Sequence, residues 1–212
     1  LSFFGTTNMP ISSHIRLLNI IRNAGPVSLY INGQEYFCDV PFAIFSGYTV
    51  IPPGVFDVTL YQTGDYGNPL IQTSETYTVG NSYTITATGT PGYIKLFPIP
   101  EPYSSPMPGL RSFLRLVNMA DKQLVLDATL QDGSQIFSGV KFAEVSPYSR
   151  LTPNFYTLTV ESADTGDKVA VAQNIPLEAG RVYSVYIVAS ENSEEPYKAL
   201  FTSDSEITMS NS

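Results

Sequence analysis

Residues 1–212 read as an all-β molecule of two tandem antiparallel β-sandwich domains, and three features of the chain say so. It repeats itself: Val40, Phe42, Ala43, Ser46, Tyr48 and Pro53 recur one hundred positions later as Val140, Phe142, Ala143, Ser146, Tyr148 and Pro153. Wherever apolar residues are periodic the period is two, the spacing of a strand with one buried face. The hairpin signals Asn32-Gly33 and Asp132-Gly133 fall at matching places in the two copies.

Each part of the chain follows from that reading. Residues 1–12 form an N-terminal extension whose Leu1, Phe3 and Phe4 are too apolar for a plain tail. Packing within the chain is the simpler expectation for it, and donation of a strand to a neighbour is the alternative. Residues 13–97 are the first sandwich. Val27 to Ile31 pairs with Gln34 to Phe37 across a type I′ turn, which needs positive φ at both central residues. Phe56, Val58 and Leu60 alternate with Asp57 and Thr59, and Tyr83, Ile85 and Ala87 alternate with Thr84, Thr86 and Thr88, which are expected to face water. Residues 98–110 hold five prolines and read as a semi-rigid linker, with hinge motion the default. An ordinary interdomain connector is the simpler expectation. The alternatives are a rod-like spacer, whose polyproline rise would part the modules by up to roughly 35 Å, and a segment lying on a module through Tyr103, Met107 and Leu110. Residues 111–204 repeat the sandwich, with the Asp132-Gly133 hairpin and the strand Tyr156 to Glu161. Residues 205–212 are a polar tail. Turn signals divide each copy into seven or eight strands, the arithmetic of an immunoglobulin-like sandwich.

Composition narrows the partners. Charged residues make up only 14% of the chain against roughly 25% in an average soluble protein, so Ser, Thr, Asn and Tyr supply much of the polar surface. A net charge of −8 argues against nucleic acid, whose phosphates need a basic patch. No apolar run reaches the ~20 residues of a membrane-spanning helix. Cys38 has no partner for an intramolecular disulfide. It reads as a small apolar filler at a strand end, with a reactive thiol as the alternative.

The first strands (Ile15-Arg16-Leu17-Leu18-Asn19; Leu114-Arg115-Leu116-Val117-Asn118), the hairpin ending at Gly33, the two Val-x-Phe-Ala-x-x-Ser-x-Tyr segments and Pro53-Gly-Val-Phe-Asp-Val carry a resemblance. Together they resemble the bacterial domain-of-unknown-function family 4397, from about His14 to Phe201. The resemblance implies exported, often surface-attached tandem sandwiches and brings no catalytic residues. Many members carry His where this chain has Asn19 and Asn118. The Pro-Gly-x-Phe/Tyr signature is also similar to transthyretin-like modules, whose Lys–Asn staples are not expected here, because the first strands bring Arg16 and Arg115.

Chemistry is thinly represented. A serine or cysteine nucleophile needs a base, and His14 is the one imidazole, at a strand start and absent from the second copy. No His/Cys cluster has zinc spacing. For calcium, the acidic loops with Asp164, Asp167, Glu194 and Glu195 are weak candidates against ordinary solvated turns. Fourteen tyrosines and no tryptophan raise sugar stacking. The repeated Tyr48/Tyr148 and Tyr83/Tyr183 suit a core or a corner with the hydroxyl tied to backbone, while Tyr61, Tyr66, Tyr93, Tyr103 and Tyr197 are the surface candidates. Arg16 and Arg115 suit a partly buried ion pair or a carbonyl-capping role.

The expectation is a non-enzymatic, extracytoplasmic structural or adhesion module at a bacterial surface, with no cofactor and with an unknown protein or glycan as partner. A carbohydrate- or peptide-binding module is the alternative, and a fibre subunit exchanging its N-terminal strand is a variant.

Overall fold

A computed structural model describes residues 12–101, 110–120 and 123–204. It is all-β there, with eight strands in each half. The first half holds β1 (Ser13–Ile21), β2 (Val27–Ile31), β3 (Gln34–Val40), β4 (Thr49–Ile51), β5 (Gly54–Gln62), β6 (Pro69–Tyr77), β7 (Ser82–Thr90) and β8 (Tyr93–Glu101). The second holds β9 (Ser112–Met119), β10 (Leu126–Leu130), β11 (Gln135–Val140), β12 (Ser149–Leu151), β13 (Asn154–Ser162), β14 (Lys168–Leu177), β15 (Val182–Ala189) and β16 (Tyr197–Ser203). Each half is a two-sheet sandwich: β4-β1-β7-β8 against β3-β2-β5-β6, then β12-β9-β15-β16 against β11-β10-β13-β14. Pairing is antiparallel except for β1 with β7 and β9 with β15, which run parallel.

The repeated motif has a physical explanation in this frame. Val40 and Val140 enter the two cores. Ala43 and Ala143 hold positive φ, near 60°, so that their N–H groups donate to Asn19 O and Asn118 O. The Ser46 and Ser146 hydroxyls accept from Leu17 N at 2.8 Å and Leu116 N at 2.9 Å, tying each loop to the edge of its first strand. Tyr83 and Tyr183 corner a turn as expected: Thr78 N and Glu178 N donate to their hydroxyls.

Four expectations change. Asn32 (φ 49°) and Gly33 (φ 78°) make the expected double positive-φ turn, but in the second hairpin only Gly133 is left-handed. The first strands of the two copies are 99 positions apart, while β5 and β7 lie 100 before β13 and β15, so Gln131 is an extra residue. It lengthens the turn, which closes through Gly133 N to Leu130 O and Leu130 N to Ser134 O, both 2.9 Å. Second, Cys38 is exposed on β3 rather than a buried filler, because its side chain falls on the outer face beside Ser28. Third, β8 extends through Glu101, so residues 98–101 are strand rather than linker. Pro98 and Pro100 lie two apart on an edge strand, where one free side tolerates the missing N–H groups. The rest of the stretch, with Tyr103, and the expectations for residues 1–11 and 205–212 lie outside the described residues.

The fourth change is the largest. Thr84 and Thr86 do not face water; both are fully buried. The sheets β4-β1-β7-β8 and β12-β9-β15-β16 pack face to face, around Leu18, Ile20 and Ile99 from one half and Val117, Met119, Tyr186 and Val188 from the other. Strands β1 and β9 are therefore covered on both sides, and the two halves stack as four layers instead of standing apart on a rod.

Candidate functional site

The stacked face carries a buried charge cluster related by the repeat. Arg16 on β1 and Arg115 on β9 are equivalent, and so are Glu101 and Asp204, each beside the first residue of its half's β7 or β15. All four are at most 4% exposed. The Arg16 Nη2 reaches Glu101 Oε1 at 3.0 Å and Asp204 Oδ1 at 3.5 Å, while its Nη1 donates to Thr202 Oγ1 and Ser203 O in the other half. Arg115 Nε lies 3.2 Å from Asp204 Oδ2, and its Nη1 donates to Pro100 O at 2.8 Å. Tyr48 donates to Glu101 and Tyr148 to Asp204, so these hydroxyls meet carboxylates and not the expected backbone. Each ring also lies under a guanidinium, Tyr48 under Arg16 and Tyr148 under Arg115.

Two opposed effects set the charges here. Burial is the largest single effect and works against a charged Arg16, but Glu101, Tyr48, Tyr186 and Asp204 together outweigh it and hold the guanidinium protonated; for Arg115, Asp204, Tyr148, Tyr186 and Glu101 do the same. For Asp204 burial wins over the pull of Arg115, and its carboxyl titrates above the ordinary aspartate range. The folded chain therefore binds the Asp204 proton more tightly than the unfolded chain. That contribution is fully present below about pH 3.9, the unfolded aspartate value, and is lost as pH rises through the folded pKa. Denaturant titrations of the parent and of Asp204→Asn from pH 4 to 7 should show the parent losing stability relative to the variant as pH rises. A difference independent of pH would contradict this.

The cluster is enclosed and balanced, so it docks the halves and presents no surface. His14 is half-buried at the start of β1, where burial lowers its pKa and its Nδ1 has no hydrogen-bond partner among the described residues. Asp167 lies in the turn after β13, bonded to Thr165, and Glu194 N donates to Asn192 Oδ1 in an exposed loop. Among the described residues no three His, Cys, Asp or Glu side chains group as metal ligands, so neither Asp164 and Asp167 nor Glu194 and Glu195 is built into a cage.

The tyrosines separate. Tyr93 is 84% exposed at the β7–β8 hairpin, without a ring contact among the described residues, and Tyr197 packs half-buried against the second core. Tyr61 and Tyr66 come together on the outer face of β3-β2-β5-β6, and Tyr30 joins them. The ring centroids are 5.4 Å apart for Tyr30–Tyr61, 5.9 Å for Tyr30–Tyr66 and 5.8 Å for Tyr61–Tyr66, all edge-to-face. Such spacings mean rings in contact, so there is no central gap for a cation; the group is a platform and not a cage. The Tyr30 hydroxyl donates to Glu35 Oε2 at 2.7 Å, which with the nearby carboxylate charge pushes its pKa up to about 12. Tyr30 was missed because its partner is not near in sequence: the ladder that sets Tyr30 against Thr59 and Ser28 against Tyr61 places both rings on one face. In the second half the same positions are Thr129 and Glu161. The scaffold is repeated and the aromatic face is not.

A family model described as Domain of unknown function (DUF4397) matches residues 13–129 and 112–211, and the chain belongs to that family. A comparison with curated proteins gives no match. Among solved structures, the chain is similar to a family 26 carbohydrate-binding module, CBMbc of Eubacterium rectale Amy13K, at 10% identity and a TM-score of 0.28, over 91% of this chain and 95% of that one. It is also similar to the fimbrial anchor protein Mfa2 of Porphyromonas gingivalis at 9% identity and 0.24, over 91% and 97%. A putative cell adhesion protein of Bacteroides eggerthii gives 11% and 0.24, over 92% and 96%. Likeness at this level concerns β architecture and is silent on function.

Proposed function

We propose, for this two-copy member of the family, a non-enzymatic extracytoplasmic adhesion module that binds through the outer sheet of its first sandwich. The observation that carries the reading is the Tyr30–Tyr61–Tyr66 platform, an aromatic group on the outer face of one half of an otherwise repeated scaffold, with Tyr66 exposed and Tyr30 and Tyr61 half-buried. Exposed aromatic area makes no contribution to a core, and tyrosine supplies large contact area at low entropic cost. The buried cluster fits the same role, since it fixes the second half against the first and leaves the outer sheets as presented faces. The low charged fraction and the Ser, Thr, Asn and Tyr surface suit an exported protein. A hydrolase is disfavoured because, among the described residues, no acid orients His14 through its Nδ1.

Retention of the bead-coupled chain on bacterial cells and on mucin-coated surfaces tests the proposal. Tyr61→Ala should lower retention at least fivefold, while Tyr93→Ala, which changes a tyrosine outside the platform, should leave it unchanged. Equal retention of the parent and Tyr61→Ala, or none of the parent, would overturn it. So would turnover of an ester, peptide or glycoside that His14→Ala abolishes.

A further inference from the structure

We infer that the outer sheet of the first sandwich takes a short neutral oligosaccharide of pyranose rings, with one ring on the tyrosine platform and its neighbours along β5 and β6. The inference rests on the adhesion reading and adds the ligand class. Next to the platform the same face opens into a shallow depression lined by Asp57, Thr59 and Gln72. Thr59 joins the two regions, because it is the cross-strand neighbour of both Tyr30 and Gln72. Asp57 and Gln72 are exposed, with side chains turned to the solvent face.

This combination selects a chemistry. An apolar ring face suits the C–H face of a pyranose, and a carboxylate, a hydroxyl and an amide suit the hydroxyls around its rim: Asp57 accepts only, while Thr59 and Gln72 both donate and accept. From Tyr61 to Asp57 is four residues of strand, roughly 13 Å, so the face is longer than a monosaccharide. The charge on it excludes anionic polymers. Glu35, Asp57 and Asp65 all lie on or beside the platform in a chain of net charge −8, and a uronic or sialic acid would meet like charge on a sheet whose strands β2, β3, β5 and β6 carry no Lys or Arg. A cationic ligand would need the cage that the ring contacts close. An apolar peptide would leave Asp57 and Gln72 unmatched. A neutral glycan uses both halves of the face.

The experiment is calorimetric titration of the full chain with maltopentaose, cellopentaose, mannopentaose and an oligogalacturonate of the same length. At least one neutral pentamer should bind saturably and the oligogalacturonate should not. Tyr61→Ala should weaken the neutral pentamer at least tenfold. Gln72→Ala should weaken the pentamer severalfold while leaving the corresponding disaccharide unchanged, since only the longer ligand reaches past the rings. Circular dichroism confirms folding of both variants, whose side chains lie outside the core. Binding of the oligogalacturonate in place of the neutral pentamers overturns the ligand class, and so does equal loss of pentamer and disaccharide in Gln72→Ala. If no neutral pentamer binds while surface retention still depends on Tyr61, the ligand class is wrong and the adhesion reading stands.

Discussion

Replacing Arg16 with alanine should destabilise the whole protein by about 3–5 kcal/mol, the usual cost of removing one partner from a buried ionic group. In a chain of this size that is a fall in melting temperature on the order of 10 °C. The loss arises from what Arg16 leaves behind. Glu101 loses its guanidinium partner, Asp204 loses one of two cations, and Ser203 O and Thr202 Oγ1 in the other half lose a donor. Arg16→Lys should recover little, because one ammonium cannot reach Thr84, Thr202 and Glu101 from a single fork. Changing Arg16, Arg115, Glu101 and Asp204 together to apolar residues of similar volume should cost far less than Arg16→Ala alone, since no charge is then left buried. Urea titration checks both. A quadruple variant as unstable as the single one would mean that the cluster holds the halves together by net attraction and not by matching.

That cluster also shows where the sequence was legible and where it was not. The alternating strands of each sandwich, both hairpins and the Tyr83/Tyr183 corners follow from local rules that need only a few neighbouring residues. The stacking of the halves depends on a surface that local rules describe ambiguously. Thr84 and Thr86 fit a wet face and a buried polar face equally well by pattern. A better signal was present in β1, where apolar residues occupy both alternating faces (Ile15, Leu17 and Ile21 on one, Leu18 and Ile20 on the other); such a pattern marks a strand covered on both sides. The acidic partners were harder to see. Glu101 sits inside a proline-rich stretch and Asp204 near the end of the chain, with a different side chain and a different spacing from the rest of the repeat. The platform failed for the opposite reason. Tyr61 and Tyr66 were visible as non-repeated surface tyrosines, but Tyr30 joins them only through the β2–β5 register.

The repeated asparagines are the second place where a single change should have a large effect. Asn118 is fully buried at the end of β9; its Nδ2 donates to Leu124 O at 2.7 Å and Val140 O at 2.9 Å, and its Oδ1 accepts from Ala120 N at 3.1 Å. Asn19 does the same in the first half with Gly25 O, Val40 O and Ile21 N. One amide thus closes the strand-end loop onto the end of β11, or of β3, and satisfies three backbone groups, two of them in buried hydrogen bonds and the third in a part-buried one. Asn118→Ala strands all three, and at about 1–3 kcal/mol for each orphaned group the expected loss is roughly 3 kcal/mol or more. Asn118→Asp separates hydrogen bonding from cavity formation, because it keeps the shape but turns the two donor positions into an acceptor facing two carbonyls. At neutral pH it should be at least as damaging as alanine. It should recover part of the loss in acid, where a protonated carboxyl regains one O–H donor. Urea titrations of both variants at pH 7 and pH 4.5 decide the matter. A loss below about 1 kcal/mol for Asn118→Ala would mean the loop closes without the amide, and a pH-independent Asn118→Asp would mean its cost is packing and not donors.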